Sequence, residues 1–248
     1  MALDGPLADL FADRPGAPVL TDDELRLQDE ADALIDDCYW FSEPRLHLIV
    51  KEDWARTIVG LTNAICIAFV AGLDEDEAIR RMGADPSDCP PLGWEEYTAQ
   101  AWAPFEAARS PMGRIETTPE EAWLWVGTAP GGGLVIYEAH GIKAREDTFG
   151  QAMTTSGGLL ASVVDYGETS VDIWRDGTKL GWPSPFHDPW PGCPDEAWLC
   201  RFGDHSHDSF RLPRSVALMT LLTGVHVDPE WLASEPKRAV RLPPPTAG

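Results

Sequence analysis

The chain has 248 residues, and its 41 acidic against 19 basic side chains give a formal net charge of −22. Nucleic acids and anionic membrane surfaces are bound by releasing counterions onto Lys and Arg, so this balance argues against both as partners. With 44% apolar residues and 11 Trp the chain has the composition of a globular protein that buries a core, and the charge is uneven along it. Residues 1–100 carry 22 acids and 7 bases, a net of −15, whereas residues 201–248 carry 5 acids and 6 bases, a net of +1.

Residues 1–20 are rich in Ala, Pro, Gly and Asp without periodicity and read as a flexible arm. A single domain is expected over 21–236, with residues 21–45 as an acidic helical extension at its start. Thr21 is an N-cap followed by Asp22, Asp23 and Glu24, and Leu27, Ala31, Leu34 and Cys38 step by four, three and four, which puts them on one helical stripe. Acids, among them Asp22, Asp23, Asp29, Asp32 and Asp36, occupy most of the other face. That face is either the solvated side of an ordinary amphipathic helix or a partner-binding face.

Leu46, Leu48 and Val50 alternate as in a short strand, Trp54, Ile58 and Leu61 have helical spacing, and Ala64 to Val70 is a buried strand ended by Gly72. Asp74 to Gly83 is the clearest local signal. Acids open a helix, Arg80 and Arg81 close it, Asp76–Arg80 and Glu77–Arg81 are spaced i to i+4, and Gly83 supplies a left-handed end. Its four consecutive acids point in different directions around a helix, so they complement the dipole and do not form a metal site.

Trp94, Tyr97 and Ala101 begin a helix that Pro104 is expected to end or kink. Ala122 to Val126 and Leu134 to Tyr137 flank Gly131-Gly132-Gly133 as a hairpin; those glycines run into a strand, not a helix, so they are not a phosphate loop. Further strands fit Leu159 to Val164, Ser170 to Arg175 and Lys179 to Trp182, the last two joined by the hairpin turn Asp176-Gly177. Residues 183–194 hold five prolines, and Trp182, Phe186 and Trp190 around them are candidates for partner contact on a preorganised backbone. Leu212 to Thr223 is helical and ends at Gly224, Asp228-Pro229 starts a short helix, and residues 237–248 read as a loose, Pro-rich tail.

Few residues suggest chemistry. Cys193, Cys200, His205 and His207 are ligand types that zinc accepts, but the spacing is not that of a zinc knuckle, and Ser209 and Phe210 stand where an HxHxDH pattern would continue. No GxSxG elbow surrounds Ser156, and the acidic pairs Glu95-Glu96 and Glu120-Glu121 are adjacent and so diverge. No cofactor motif is found. The five cysteines are odd in number and scattered, and the N-terminus lacks the basic and apolar regions of a signal peptide, so a cytoplasmic location is expected.

Several blocks, in order, resemble an uncharacterised family of actinobacterial proteins found in Streptomyces and its relatives. They are Cys66 to Leu73 followed by Glu75 to Gly83, the strand Leu134 to Glu138, the strand pair across Asp176-Gly177, and Ala217 to Val225, over roughly residues 54–234. The resemblance implies an intracellular α+β domain of bacterial origin and assigns no activity; neither His205 to Asp208 nor the acidic first helix belongs to the pattern. The expected fold is therefore α+β, a mainly antiparallel sheet with helices packed on one face, preceded by the N-terminal amphipathic helix. Ile67, Phe69, Leu124, Val126, Val135 and Ile136 are its expected core. The expected function is a non-catalytic protein-binding or regulatory module, immunity-like, that meets a basic partner. The alternative is a small-ligand or metal-dependent hydrolase built on residues 187–208.

Overall fold

The structure, a computed structural model, describes residues 65–107, 122–139, 143–165, 169–181, 211–227, 231–232 and 236–242, with Arg26, Asp29, Ala33, Leu34, Asp36, Asp37 and Cys38 of the N-terminal segment. The expected strand near Leu46 and the helical spacing around Trp54 lie outside these residues, as do the arm at 1–20 and the Pro-rich loop.

Eight strands form one sheet: β1 (Ile65–Ala71), β2 (Pro91–Leu92), β3 (Ala122–Thr128), β4 (Leu134–Ala139), β5 (Leu159–Asp165), β6 (Thr169–Arg175), β7 (Thr178–Gly181) and β8 (Lys237–Leu242). Their order is β2-β8-β3-β4-β1-β5-β6-β7, and every neighbouring pair is antiparallel. Two tight hairpins set the register. Ala129 N–H donates to Gly133 O at the β3–β4 turn, and Asp176 and Gly177 both take positive φ, 51° and 74°, at the β6–β7 turn. Positive φ at both central positions matches the twist of the flanking strands, and Asp-Gly is a pair that tolerates it.

The α+β class and the antiparallel sheet are as expected; the disposition of the helices is not. Successive strand side chains point to opposite faces, and here both faces are apolar. One face carries Ile67, Phe69, Trp125, Val135, Tyr137, Ala161 and Ile173, covered by α2 (Trp94–Ala107) and α4 (Arg211–Thr223). The other carries Ala68, Val70, Leu124, Val126, Leu134, Ile136 and Leu160, covered by α1 (Glu75–Arg81), the short turn Lys143–Arg145 and α3 (Asp147–Thr154). Helices thus flank the sheet on two sides, because central strands with no polar face have to be buried on both.

The helix α1 forms as its sequence dictates. The Asp74 side chain accepts from Glu77 N–H at 2.8 Å, Glu77 pairs with Arg81 at 2.9 Å, and Gly83 follows with φ +85°. By contrast, α2 runs through Pro104 to Ala107; the ring removes one main-chain donor without ending the helix. The second correction concerns the C-terminus. Residues Lys237–Leu242 are not a loose tail but strand β8, seated between β2 and β3 with Leu124 opposite Val240 and Trp125 opposite Ala239.

Candidate functional site

The described part of the acidic N-terminal segment is helical, and it divides by side. Leu34 packs against the core and Cys38 is buried in it, while Arg26, Asp29, Asp36 and Asp37 are exposed. Burial pushes the Cys38 thiol up to about 12, with Asp37 adding to the effect and the Thr220 hydroxyl of α4 opposing it. The thiol is therefore neutral and serves as an apolar anchor. The expected stripe is thus in place at Leu34 and Cys38, and two of the singled-out acids, Asp29 and Asp36, stand on the outer face. Asp22, Asp23, Asp32, Trp182, Phe186, Trp190, Cys193, Cys200, His205 and His207 lie outside the described residues. Among the described residues no group of three or more His, Cys, Asp or Glu side chains converges as a metal site.

A second acidic surface surrounds α1, but its charges are engaged. Asp76 holds Arg238 of β8 at 2.6 Å, Glu75 accepts from Thr128 N–H and Oγ1 at 2.8 and 2.7 Å, and the Arg81 hydrogen bond holds Glu77 below its ordinary range. Arg238 also donates to the carbonyls of Cys89 and Pro86. These contacts fasten β8 to the helix layer, so this acidic patch has a structural occupation.

Lys237 and Glu138 are among the buried charged residues that pattern reading passed over. Lys237, 4% exposed, donates from Nζ to Trp231 O at 2.7 Å and Leu232 O at 3.3 Å, and lies 4.1 and 4.4 Å from the ring centroids of Trp231 and Trp125. Two indole faces and two carbonyls replace the water that a buried ammonium gives up. Gly127 leaves the space: a Cβ there would stand 2.8 Å from the lysine stem. Alongside, Trp94, Tyr97, Trp125 and Tyr137 form one aromatic cluster, with Tyr97 and Trp125 stacked at 5.4 Å.

Glu138, on β4, is 2% exposed on the opposite face. It accepts from Ala144 N–H at 3.1 Å and from the main chain of Lys143, and burial raises it to about 7 against those bonds, with Glu146 adding to the rise and Lys143 opposing it. Its neighbours in register are Cys66 and Leu124. A single acid inside the apolar run Leu134-Val135-Ile136-Tyr137-Glu138 was the sequence signal for this site.

No protein-family model, curated protein or solved structure matches this chain.

Proposed function

We propose that this protein is a non-catalytic binding or regulatory module that engages a basic protein through the outer face of its N-terminal helical segment. Neutralising such a partner, as an immunity protein does, is the form this reading takes. One observation supports it above the others: the segment is anchored by Leu34 and Cys38 while Asp29, Asp36 and Asp37 are held outward together. An acidic helix docked on a folded body keeps its charges in a fixed array, which favours steered association with a positive surface. The front-loaded charge of the chain adds a long-range field of the same sign. A cytoplasmic setting belongs to the same proposal; no helix among the described residues is long and apolar enough to cross a membrane.

The test is capture on the immobilised full chain at about 0.05 M and about 0.5 M salt, the second of which screens charges beyond a few ångströms. Captured proteins should be basic, should be released at high salt, and should be lost by the triple variant D29N/D36N/D37N. Retention that ignores both salt and the variant overturns the reading.

A further inference from the structure

Glu138 faces the interior, and among the described side chains no cation forms an ion pair with it. The ammonium of Lys143 lies 2.7 Å from Glu146, so that lysine is paired with another acid. From β1 the facing side chain is Cys66, fully buried and directly opposite in register; from β3 it is Leu124. The turn Lys143–Arg145 packs across β1, β4 and β5 and supplies the main-chain donors, and among the described side chains Lys143 and Glu146 are the charges acting on Glu138. One row further along β5, Ser162 is fully buried in the same layer, opposite Ala68 of β1. Beyond it, on β6, Asp172 is engaged by Lys179 of β7 at 3.4 Å.

We infer that Glu138 makes the Lys143–Arg145 turn a proton-operated cover over Cys66, closed while the carboxyl is neutral and loosened when it ionises. The cause is the mismatch between an ionised carboxylate, which needs several donors or a cation, and a buried site in which the described donors to it are two main-chain N–H groups. Opening the turn hydrates the carboxylate and returns it to its ordinary affinity for protons. By linkage, opening then becomes easier as pH rises from the ordinary carboxyl range to the value the closed site imposes, and levels off above it. The device thus responds within the neutral range, and it exposes a thiol on the sheet as it does so.

Thiol labelling of the full chain with methyl methanethiosulfonate, read at each cysteine by mass spectrometry, tests this. Both Cys66 and Cys38 are buried, and an opened thiol ionises with its ordinary dependence on pH, so the ratio of their labelling rates cancels that dependence. Between about pH 5 and pH 8 the Cys66-to-Cys38 ratio should rise by roughly fiftyfold, and in Glu138→Gln it should be flat. A flat ratio in the wild type, or an unchanged rise in the variant, overturns the inference. Should the variant not fold, the Ala144 amide resonance of the wild-type chain decides: it should titrate near neutrality, and a resonance unmoved between about pH 5 and pH 8 overturns the inference equally.

Discussion

Lys237 is held with its ammonium between two indole rings and its donors on two main-chain oxygens. Replacing it by Met keeps the stem and removes the cation, leaving both carbonyls without that donor. Lys237→Met should therefore lower stability by about 2–4 kcal/mol, measured as the urea midpoint followed by tryptophan fluorescence. An unshifted midpoint would mean that the box contributes nothing. Glu138 acts with the opposite dependence on its charge. Its folded value, about 7, lies above the ordinary 4.5, so between these pH values the folded state retains a proton that the unfolded state has lost. Its favourable contribution is complete below about pH 4.5 and is lost as pH rises through 7, a total of ~3 kcal/mol. Thermal melts of wild type and Glu138→Gln across that range should differ in slope, with the variant the flatter.

Among the elements, α3 is the one that its own sequence supports least. Gly150 and Thr154 are poor helix formers, its N-terminus has no side-chain cap, and pattern reading gave no helix there. Tertiary contacts hold it. Phe149 and Met153 are buried against the sheet, and Gly150 lies so close to Trp174 that an added Cβ would come within 2.4 Å of the indole. Arg81 of α1 closes the other end, donating to the carbonyls of Ala152, Met153 and Thr155 at 3.3, 3.2 and 2.6 Å. Gly150→Ala should accordingly cost about 1–3 kcal/mol, although alanine is the better helix former, because the ring has to move. Arg81→Ala should cost about 1–2 kcal/mol and raise amide exchange selectively in residues 147–155. A stabilising Gly150→Ala would show that propensity outweighs packing in this helix. The same contrast explains what was legible. In α1 the cap, the ion pairs and the terminal glycine are all local and could be read directly, whereas the support of α3 comes from residues about 25 and 70 positions away.

At the scale of the whole molecule, β8 decides how much of the chain is needed to fold. It lies between β2 and β3, hydrogen-bonded on both sides, and carries Ala239, Val240 and Leu242 into the two cores. A chain ending at residue 236 exposes the edge of β3 and both cores beside it, and should lose cooperative unfolding, as measured by urea titration and by the dispersion of amide resonances. Full retention of the transition would make β8 an accessory strand. Nearer the centre, Phe69 is completely buried on β1, and Phe69→Ala should cost about 3–5 kcal/mol. The sequence of β8, Lys-Arg-Ala-Val-Arg-Leu, hid its place because three of its six residues are basic and triple proline follows. Two of those charges have partners that no local window contains: Lys237 the Trp125 indole, Arg238 its contacts with Asp76, Pro86 and Cys89.

What the sequence by itself determined was whatever depends on neighbours along the chain. The α+β class, six of the strands, the two hairpin turns, α1, α4 and the apolar side of the N-terminal segment at Leu34 and Cys38 all follow from periodicity, caps and turn chemistry over a few residues. Tertiary structure alone decided that helices cover both faces of the sheet, that the C-terminal residues complete it, and that Glu138, Asp172 and Lys237 belong inside. Hydrophobic patterning states that a residue is to be buried, but not against what. A charge becomes tolerable in the interior only when the fold turns donors, acceptors or ring faces onto it, whether from a few residues away, as for Glu138, or from another strand, as Trp125 does for Lys237. For that reason the net acidity of the chain was visible from the start, while the partition of its acids into capped, paired, buried and outward-facing groups was not.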